Sequence, residues 1–415
     1  MLSFEEARRL ILSSVAALRI ERVSLLEAIG RVLAEEVFAP FDLPACDNSA
    51  MDGYAVRSAD CASPARLKVT GYIPAGCLPA QSLLPGCAIR IMTGAPIPPG
   101  CDAVVPVEQT EAEPADAAQP GGIGGHVQIK AAVRPRQQIR FTGEDVARGE
   151  SVLSPGTLLH APAISLLASF GKAWVAVYAR VSVAILSTGD ELVELGEPLT
   201  EGRIVNSNTH SLAASLREIG AIPVILGIAR DDPSEMRAKL LEGFKSDAMI
   251  TSAGVSAGDR DFVRDVLDEL QLRQLFRQVE IRPGGPTAFG LRDGKPVFSL
   301  PGNPVATMII FETLVRPALL KMMGHRRVLR APFTAILQHE LRKKEGKVQC
   351  VRVRLQWSEG RLLASSAGDQ NTGILKTMLL ADGLAILPAE STFFAPGDAV
   401  SVQLLSGDAL MREES

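Results

Sequence analysis

The chain opens on helical spacing. Ile11, Val15 and Leu18 fall on one apolar stripe, and Ser3 with Glu6 has the form of a capping box ahead of it. A second such box, Ser24 with Glu27, followed by Gly30 as a stop, predicts another helix. From about 41 to 140 the texture changes to short apolar runs broken by Pro and Gly (LKVTGYI, AIRIMTGAPIP, DAVVPVE, VQIK), the pattern of a β-rich region with many turns. Inside it, 111–125 reads as a loop, and its glycines lack the strand-to-helix context of a phosphate cradle. Between 181 and 323, β-type runs (VSVAILS, IPVILGI, DAMITS, PVFSL) alternate with helical segments, which predicts a parallel sheet covered by helices on both faces. Asp232, Pro233 and Glu235 mark one helix start there. After 330 polar and apolar residues interleave again, with Ser358-Glu359-Gly360 as a hairpin turn, and a small all-β domain is expected.

Composition narrows the class. At 415 residues, the chain has room for two to four domains of roughly 100–200 residues each. A net charge of −4 and the lack of a long basic run speak against a nucleic-acid surface. Six cysteines without a C-x-x-C pair and five scattered histidines speak against a zinc site. The start MLSFEEARRL is not a signal peptide, and no apolar run reaches the ~18 residues of a membrane span, so a cytoplasmic protein is expected.

The chemistry concentrates in loops. The run DNSAMDGYAV at 47–56 places Asp47 and Asp52 on a turn-forming segment, with Met51, Tyr54, Ala55 and Val56 to anchor it. Such a loop either presents ligands to a cation or polar substrate, or is a strand-initiating turn with solvated carboxylates. In an open parallel sheet, ligands bind beyond the carboxyl ends of the strands. All four predicted strand ends open into loops of Gly, Ser/Thr and acids: Ser187-Thr188-Gly189-Asp190-Glu191, Ala229–Asp232, Thr251–Asp261 and Pro301-Gly302-Asn303-Pro304. These suit an anionic, polyhydroxylated ligand, with Mg²⁺ between the carboxylates and any phosphate. Asp232 is better explained as a helix cap, Asp190 is equally a turn residue, and His210 is structural or superficial. No G-x-S-x-G and no P-loop occurs.

Several motifs in order carry a resemblance: DNSAMDGYAVR (47–57), IRIMTGAPIPPGCDAVVPVE (89–108), IRFTGED (139–145), STGDEL (187–192), IVNSN (204–208), ARDDP (229–233), TSAGVSAGDRDF (251–262), IRPGGPTAFG (281–290) and SLPGNPVA (299–306). With GDQNTGILKTMLLADGLAILP (368–388), the chain resembles the molybdopterin molybdotransferases, the MoeA family, which includes the E domain of gephyrin. The resemblance implies a multidomain α/β plus β protein. A helical linker domain is formed by 1–40 and 140–174, a β-rich domain (41–139) is inserted in it, a doubly wound parallel or mixed α/β domain of molybdopterin-binding type spans 175–326, and a β-barrel-like domain closes the chain (327–415). It further implies a homodimer that inserts molybdenum from molybdate into adenylylated molybdopterin with Mg²⁺ and releases AMP, in possible contact with the adenylyltransferase and with recipient molybdoenzymes. Asp52, Asp145, Glu191 and Asp261 are then the catalytic candidates, Asp52, Glu191 and Asp261 the metal ligands, with Asp52 and Asp145 coming from the partner subunit's side. Substrate contacts fall on Thr93, on Ser187, Thr188, Gly189 and Asp190, on Asn208 and Asp231, on Gly254 and Ser256, on Arg282, and on Pro301, Gly302, Asn303 and Pro304.

One departure matters. The family commonly reads K-P-G-K-P where this chain has Arg282-Pro283-Gly284-Gly285-Pro286, so one cation becomes a planar fork and the other disappears. Either a base such as Arg260, Arg292 or Lys295 substitutes, or the chain is a divergent paralogue with a preference for tungstate or weakened activity. Ala253 and Ala306 are milder departures. A scaffold or binding module without turnover, and the adenylyltransferase itself, are the competing functions; the domains flanking the α/β region speak against the latter.

Overall fold

A computed structural model describes residues 1–113, 123–253 and 262–405 of the chain. By its contacts it separates into two compact units, one of Glu36–Ser154 with Ser165–Lys172, the other of Met1–Glu35, Pro155–Ile164 and Ala173–Ser415.

The N-terminal helix α1 (Phe4–Ser14) begins on the expected capping box: Glu6 N–H donates to Ser3 Oγ, and Ser3 N–H to the Glu6 carboxylate. The second box does not start a helix. Ser24 N–H and Oγ do donate to Glu27, but Ser24 ends strand β1 (Ile20–Ser24), which pairs antiparallel with Trp174–Tyr178, and only a turn follows to Gly30. Cross-strand pairing outbids a local signal that a turn satisfies equally well.

The first unit is built on a six-stranded sheet of β2 (Gly53–Val56), β3 (Ala65–Ile73), β4 (Cys87–Ile91), β5 (Ala103–Pro106), β6 (Thr110–Ala112) and β7 (His126–Ile129), in the order β5-β2-β4-β3-β7-β6. Tyr54 and Val56 pack with Val69, Val105 and Val127 on one face, while Ala55 packs with Ile89, Ile91 and Val104 on the other. Burial on both faces fixes the register of β2, and so the position of the acidic run leading into it.

The second unit holds a six-stranded mixed sheet. Its strands are β8 (Ser182–Thr188), β9 (Ile222–Ala229), β10 (Ala248–Ser252), β11 (Arg273–Phe276), β13 (Ala288–Arg292) and β14 (Lys295–Leu300), in the order β9-β8-β10-β14-β13-β11; β12 (Val279–Arg282) lies elsewhere. The first four of that order run parallel, β13 runs antiparallel to β14, and β11 runs antiparallel to β13. Alternation along β8 assigns the two faces. Val183 and Ile185 face a core shared with α1, with α2 (Ser207–Glu218) and with the helix starting at Pro304; Ala184 and Leu186 face α3 (Pro233–Gly243) and α4 (Phe262–Glu269). Helices therefore cover both faces, as the alternation of apolar runs predicts. The helical segment after β14 is α5 (Pro304–Ile310) and α6 (Arg316–Met322) joined by a π-helical stretch at 311–315, just ahead of Pro317, which has no N–H to give.

The C-terminal strands are β15 (Pro332–Leu337), β16 (Val348–Ser358), β17 (Arg361–Ser366), β18 (Gly383–Leu387) and β19 (Ala399–Leu404). They close on themselves in the order β16-β17-β15-β19-β18, β18 returning to β16, so this part contains a closed strand barrel. The β16–β17 hairpin turns at Glu359 (φ 48°) and Gly360 (φ 75°), as its sequence predicts. Strand β12 pairs parallel with β16, Ile281 opposite Val348 and Arg282 opposite Gln349, and this carries Arg282 to the barrel wall. No helix among the described residues is long and apolar enough to cross a membrane.

Candidate functional site

At the carboxyl ends of β8 and β10, a cleft of about 230 Å³ is lined by Ser187, Thr188, Glu191, Asn206, Asn208, Ser252, Gly302 and Pro304, among others. Ser187 Oγ donates to Asn206 Oδ1 at 2.9 Å, and Asn206 caps α2 by accepting the Thr209 N–H. Asn208 Nδ2 donates to Ser252 Oγ at 2.7 Å and to the Gly302 carbonyl at 2.8 Å, tying three strand-end loops together. Buried Asn208 Oδ1, Asn206 Nδ2 and Thr251 Oγ1 have no partner, which marks this edge as built for a polar ligand or water. Gly189 sits at φ +136°, and a Cβ there would overlap the Glu191 carboxylate. Asp190 is a tie within the loops: its Oδ1 accepts the Asp231 N–H at 3.3 Å. Arg230, which sequence reasoning passed over, donates to the carbonyls of Asp190 (3.1 Å) and Leu192 (2.8 Å) and clamps the 189–192 loop. Asp232 is the cap it was expected to be, accepting the Glu235 N–H at 2.7 Å, and His210 is exposed on α2.

The Pro301–Pro304 loop is shared with a second, larger cavity of about 700 Å³. Gly302 and Pro304 face the first cleft; Pro301 and Asn303 line the second, together with Arg282, Gly284, Gln349, Cys350, Arg352 and Asp369–Thr372. Asn303 Nδ2 donates to Thr372 Oγ1 at 3.1 Å, joining the α/β part to the barrel. The decisive residue is Arg352 on β16. It is 2% exposed, its Nη2 donates to the carbonyls of Asp369 (3.1 Å) and Asn371 (3.3 Å), and its Nε and Nη1 have no partner. Burial pulls its pKa down, and the Asp369 charge opposes that. Gln370 fixes the backbone beside it from both sides, accepting the Arg352 N–H at 3.0 Å and donating to the Arg352 carbonyl at 3.1 Å. A guanidinium buried beside a cavity with unused N–H donors has the chemistry to receive an oxyanion.

Of the expected replacements for the missing lysine, Arg292 and Lys295 do not line this cavity, and Arg260 lies outside the described residues. Arg292 stacks over the Phe244 ring at 4.1 Å, and Lys295 donates to the Phe244 carbonyl at 2.8 Å, both at the turn end of the β13–β14 hairpin. Lys347 does stand near: its Nζ lies 4.0 Å from where a Cβ on Gly285 would be.

In the other unit, Asp52 immediately precedes β2, and its Oδ1 accepts the Thr93 N–H (2.7 Å) and Oγ–H (2.6 Å). Those bonds hold its carboxyl below the usual range. Asp47 is cradled in the same way by Thr142, at 2.8 Å for both bonds, so the two acids of the run are equivalent in kind. Thr93 thus orients Asp52, and a Cβ on Gly53 would overlap the Val105 carbonyl. Asp145 is exposed, its N–H bonded to the Leu43 carbonyl at 3.0 Å. Of the three acids expected on the cation, Asp52 and Glu191 belong to different units and Asp261 lies outside the described residues, as do Gly254, Ser256 and Arg260. No group of three His, Cys, Asp or Glu among the described residues is placed to hold a metal ion.

Comparison with known proteins gives these cavities a family. Residues 2–171 match the MoeA N-terminal region (domain I and II), 184–321 a probable molybdopterin binding domain, and 334–405 the MoeA C-terminal region (domain IV). The chain is 37% identical to molybdopterin molybdenumtransferase 2 of Mycobacterium tuberculosis over 97% of its own length and 99% of the relative's. It is 35% identical to molybdopterin molybdenumtransferase of Haemophilus influenzae, over 97% and 98%. The crystal structure of the molybdopterin biosynthesis MoeA protein from Pyrococcus horikoshii superposes with a TM-score of 0.81 at 30% identity, covering 97% of this chain and all of that one. The chain belongs to the MoeA family of molybdenum-cofactor biosynthesis, whose curated relatives are molybdopterin molybdenumtransferases.

Proposed function

We propose that the chain inserts molybdenum from molybdate into adenylylated molybdopterin and releases AMP. The observation that carries this reading is Arg352, a buried guanidinium with two unpaired N–H groups, in one cavity with Arg282. Two cations and the polar edge of Gln349, Gln370 and Thr372 suit a compact tetraoxo dianion better than an apolar ligand. The neighbouring strand-end cleft offers hydroxyls, amides and glycine backbone, which suit the pterin phosphate and the adenylate. The Pro301–Pro304 loop is common to both, and would hold oxyanion and pterin side by side; Arg230 and Asn208 keep the loops in place while they react.

Glu191 and Asp261, with Asp52 supplied by the partner subunit, are the acids we assign to Mg²⁺; their hard carboxylate oxygens fit that ion, which would neutralise the pyrophosphate. The lowered pKa of Asp52 keeps it anionic for that task. The homodimer is part of the same proposal, and sedimentation as a monomer at working concentration would remove it. A preference for tungstate is the second reading, favoured by Arg282 and Gly285 where a pair of lysines is common in the family. AMP release from adenylylated molybdopterin, with molybdate and tungstate supplied in parallel, tests both. Release with molybdate supports the first reading and release with tungstate alone the second; turnover with neither leaves a scaffold.

A further inference from the structure

The two glycines that follow β12 are glycine for different reasons. Gly284 has to be one: its φ is +104°, and a Cβ there would overlap the Ile310 side chain. Gly285 does not. Its φ lies outside the left-handed region, and a Cβ would meet the Val279 and Ile281 carbonyls at 3.5 Å, an ordinary van der Waals contact. Its position is fixed, since its carbonyl accepts the N–H groups of Val279 (3.0 Å) and Thr287 (2.9 Å). A side chain at 285 is therefore sterically allowed, and the third neighbour of its Cβ would be the Lys347 ammonium, at 4.0 Å. Lys347 arrives there through the pairing of β12 with β16. It directly precedes Val348, which lies opposite Ile281, and so stands beside the turn whose Arg282, Gly284 and Pro286 line the oxyanion cavity. Lys347 is exposed, and among the described residues its ammonium has no hydrogen bond and no ion pair. The charged groups lining the cavity are two guanidinium cations, Arg282 and Arg352, and one carboxylate, Asp369. Their sum is one positive charge, and Lys347 at the rim raises it to two, which matches a dianion.

We propose that Lys347 supplies the oxyanion-binding cation that position 285 lacks, reaching the ligand across the space that Gly285 leaves open. A lysine at 285 together with Lys347 would aim two ammonium groups at one spot, where like charges repel. The two positions are thus alternatives for a single charge, and this chain carries it on the segment leading into β16. An exposed charge at a rim acts through solvent, so its contribution falls as salt rises. This rests on the cavity being the oxyanion site proposed above.

Titration calorimetry of the purified chain with sodium molybdate at low ionic strength, on Lys347→Met, Gly285→Lys and the double variant, tests it. Lys347→Met removes an exposed charge that holds nothing else, so it should fold normally and bind molybdate about tenfold more weakly. That deficit should shrink at high salt. Gly285→Lys alone should bind no tighter than the wild type. The double variant should return to within about threefold of the wild type, so that the two changes are non-additive. Three results overturn this inference and leave the cavity standing: Lys347→Met binding as the wild type does, a double variant as weak as Lys347→Met, or a gain from Gly285→Lys that is the same with and without Lys347. No molybdate binding by the wild type, or equal binding by Arg352→Met, overturns the oxyanion cavity and the inference with it.

Discussion

Replacing Arg352 by Met should separate binding from stability. Arg352 is 2% exposed and leaves Nε and Nη1 unpaired in the free protein. An oxyanion that fills the cavity gains two charge-assisted hydrogen bonds, each contributing about 1.5–3 kcal/mol. Their loss, about 3–6 kcal/mol together, weakens molybdate binding by roughly 10²- to 10⁴-fold. Stability should move much less. The substitution removes a buried charge, an exchange for an apolar residue that is often neutral or stabilising by about 1–4 kcal/mol. Against this, the carbonyls of Asp369 and Asn371 lose the Nη2 donor, at 3.1 and 3.3 Å, which costs about 1–3 kcal/mol for each group left unsatisfied. The two roughly cancel, so the ligand-free variant should melt within a few degrees of the wild type. Thermal unfolding with and without molybdate, alongside calorimetry, reads both quantities. Molybdate at a hundred times its Kd should stabilise the wild type by about 2.7 kcal/mol and the variant not at all. Binding retained within about threefold would refute the oxyanion reading of Arg352, and a large loss of ligand-free stability would make its role structural.

Three further outcomes follow from single contacts. Thr93→Val removes one of the two donors that hold the Asp52 carboxyl low, so its pKa rises and the carboxylate is lost at a higher pH as pH falls; the acid limb of AMP release should move up, and an unmoved limb would detach Asp52 from turnover. Gly53→Ala places a Cβ against the Val105 carbonyl in a strand buried on both faces and should cost about 1–3 kcal/mol in urea unfolding; an unchanged midpoint contradicts the close approach. Burial pushes the thiols of Cys61 and Cys101 up to about 11 and that of Cys350 to about 12, so maleimide at neutral pH should label exposed Cys46 and Cys77 first, as mass spectrometry of peptides would report.

What was legible in the sequence was what local chemistry decides. The Ser3–Glu6 box, the Asp232 cap and the Glu359–Gly360 turn each depend on neighbours a few residues away, and each stands where expected. The β-α alternation was equally readable, because burial on both faces of β8 demands it. The Ser24–Glu27 box misled, since pairing with Trp174–Tyr178 is set by residues about 150 positions downstream. Ser187 and the Pro301–Pro304 loop, which the rule for strand ends picks out from topology alone, do line cavities, as does Asn208, which only the resemblance pointed to. Arg352 and Asp369 were not found. They reach Arg282 only because β12 stands outside the α/β sheet and pairs with β16, and no periodicity announces that pairing. Arg292 and Lys295, near in sequence to Arg282, sit instead at the turn of the β13–β14 hairpin, where they meet Phe244.

The most direct test of the account is a stoichiometry. Purified chain is incubated with adenylylated molybdopterin, molybdate and Mg²⁺, and AMP released is measured against molybdenum retained on the pterin. The account predicts one molybdenum retained for each AMP, with both lost together in Arg352→Met. AMP released without molybdenum uptake, or full molybdenum insertion by that variant, would contradict it.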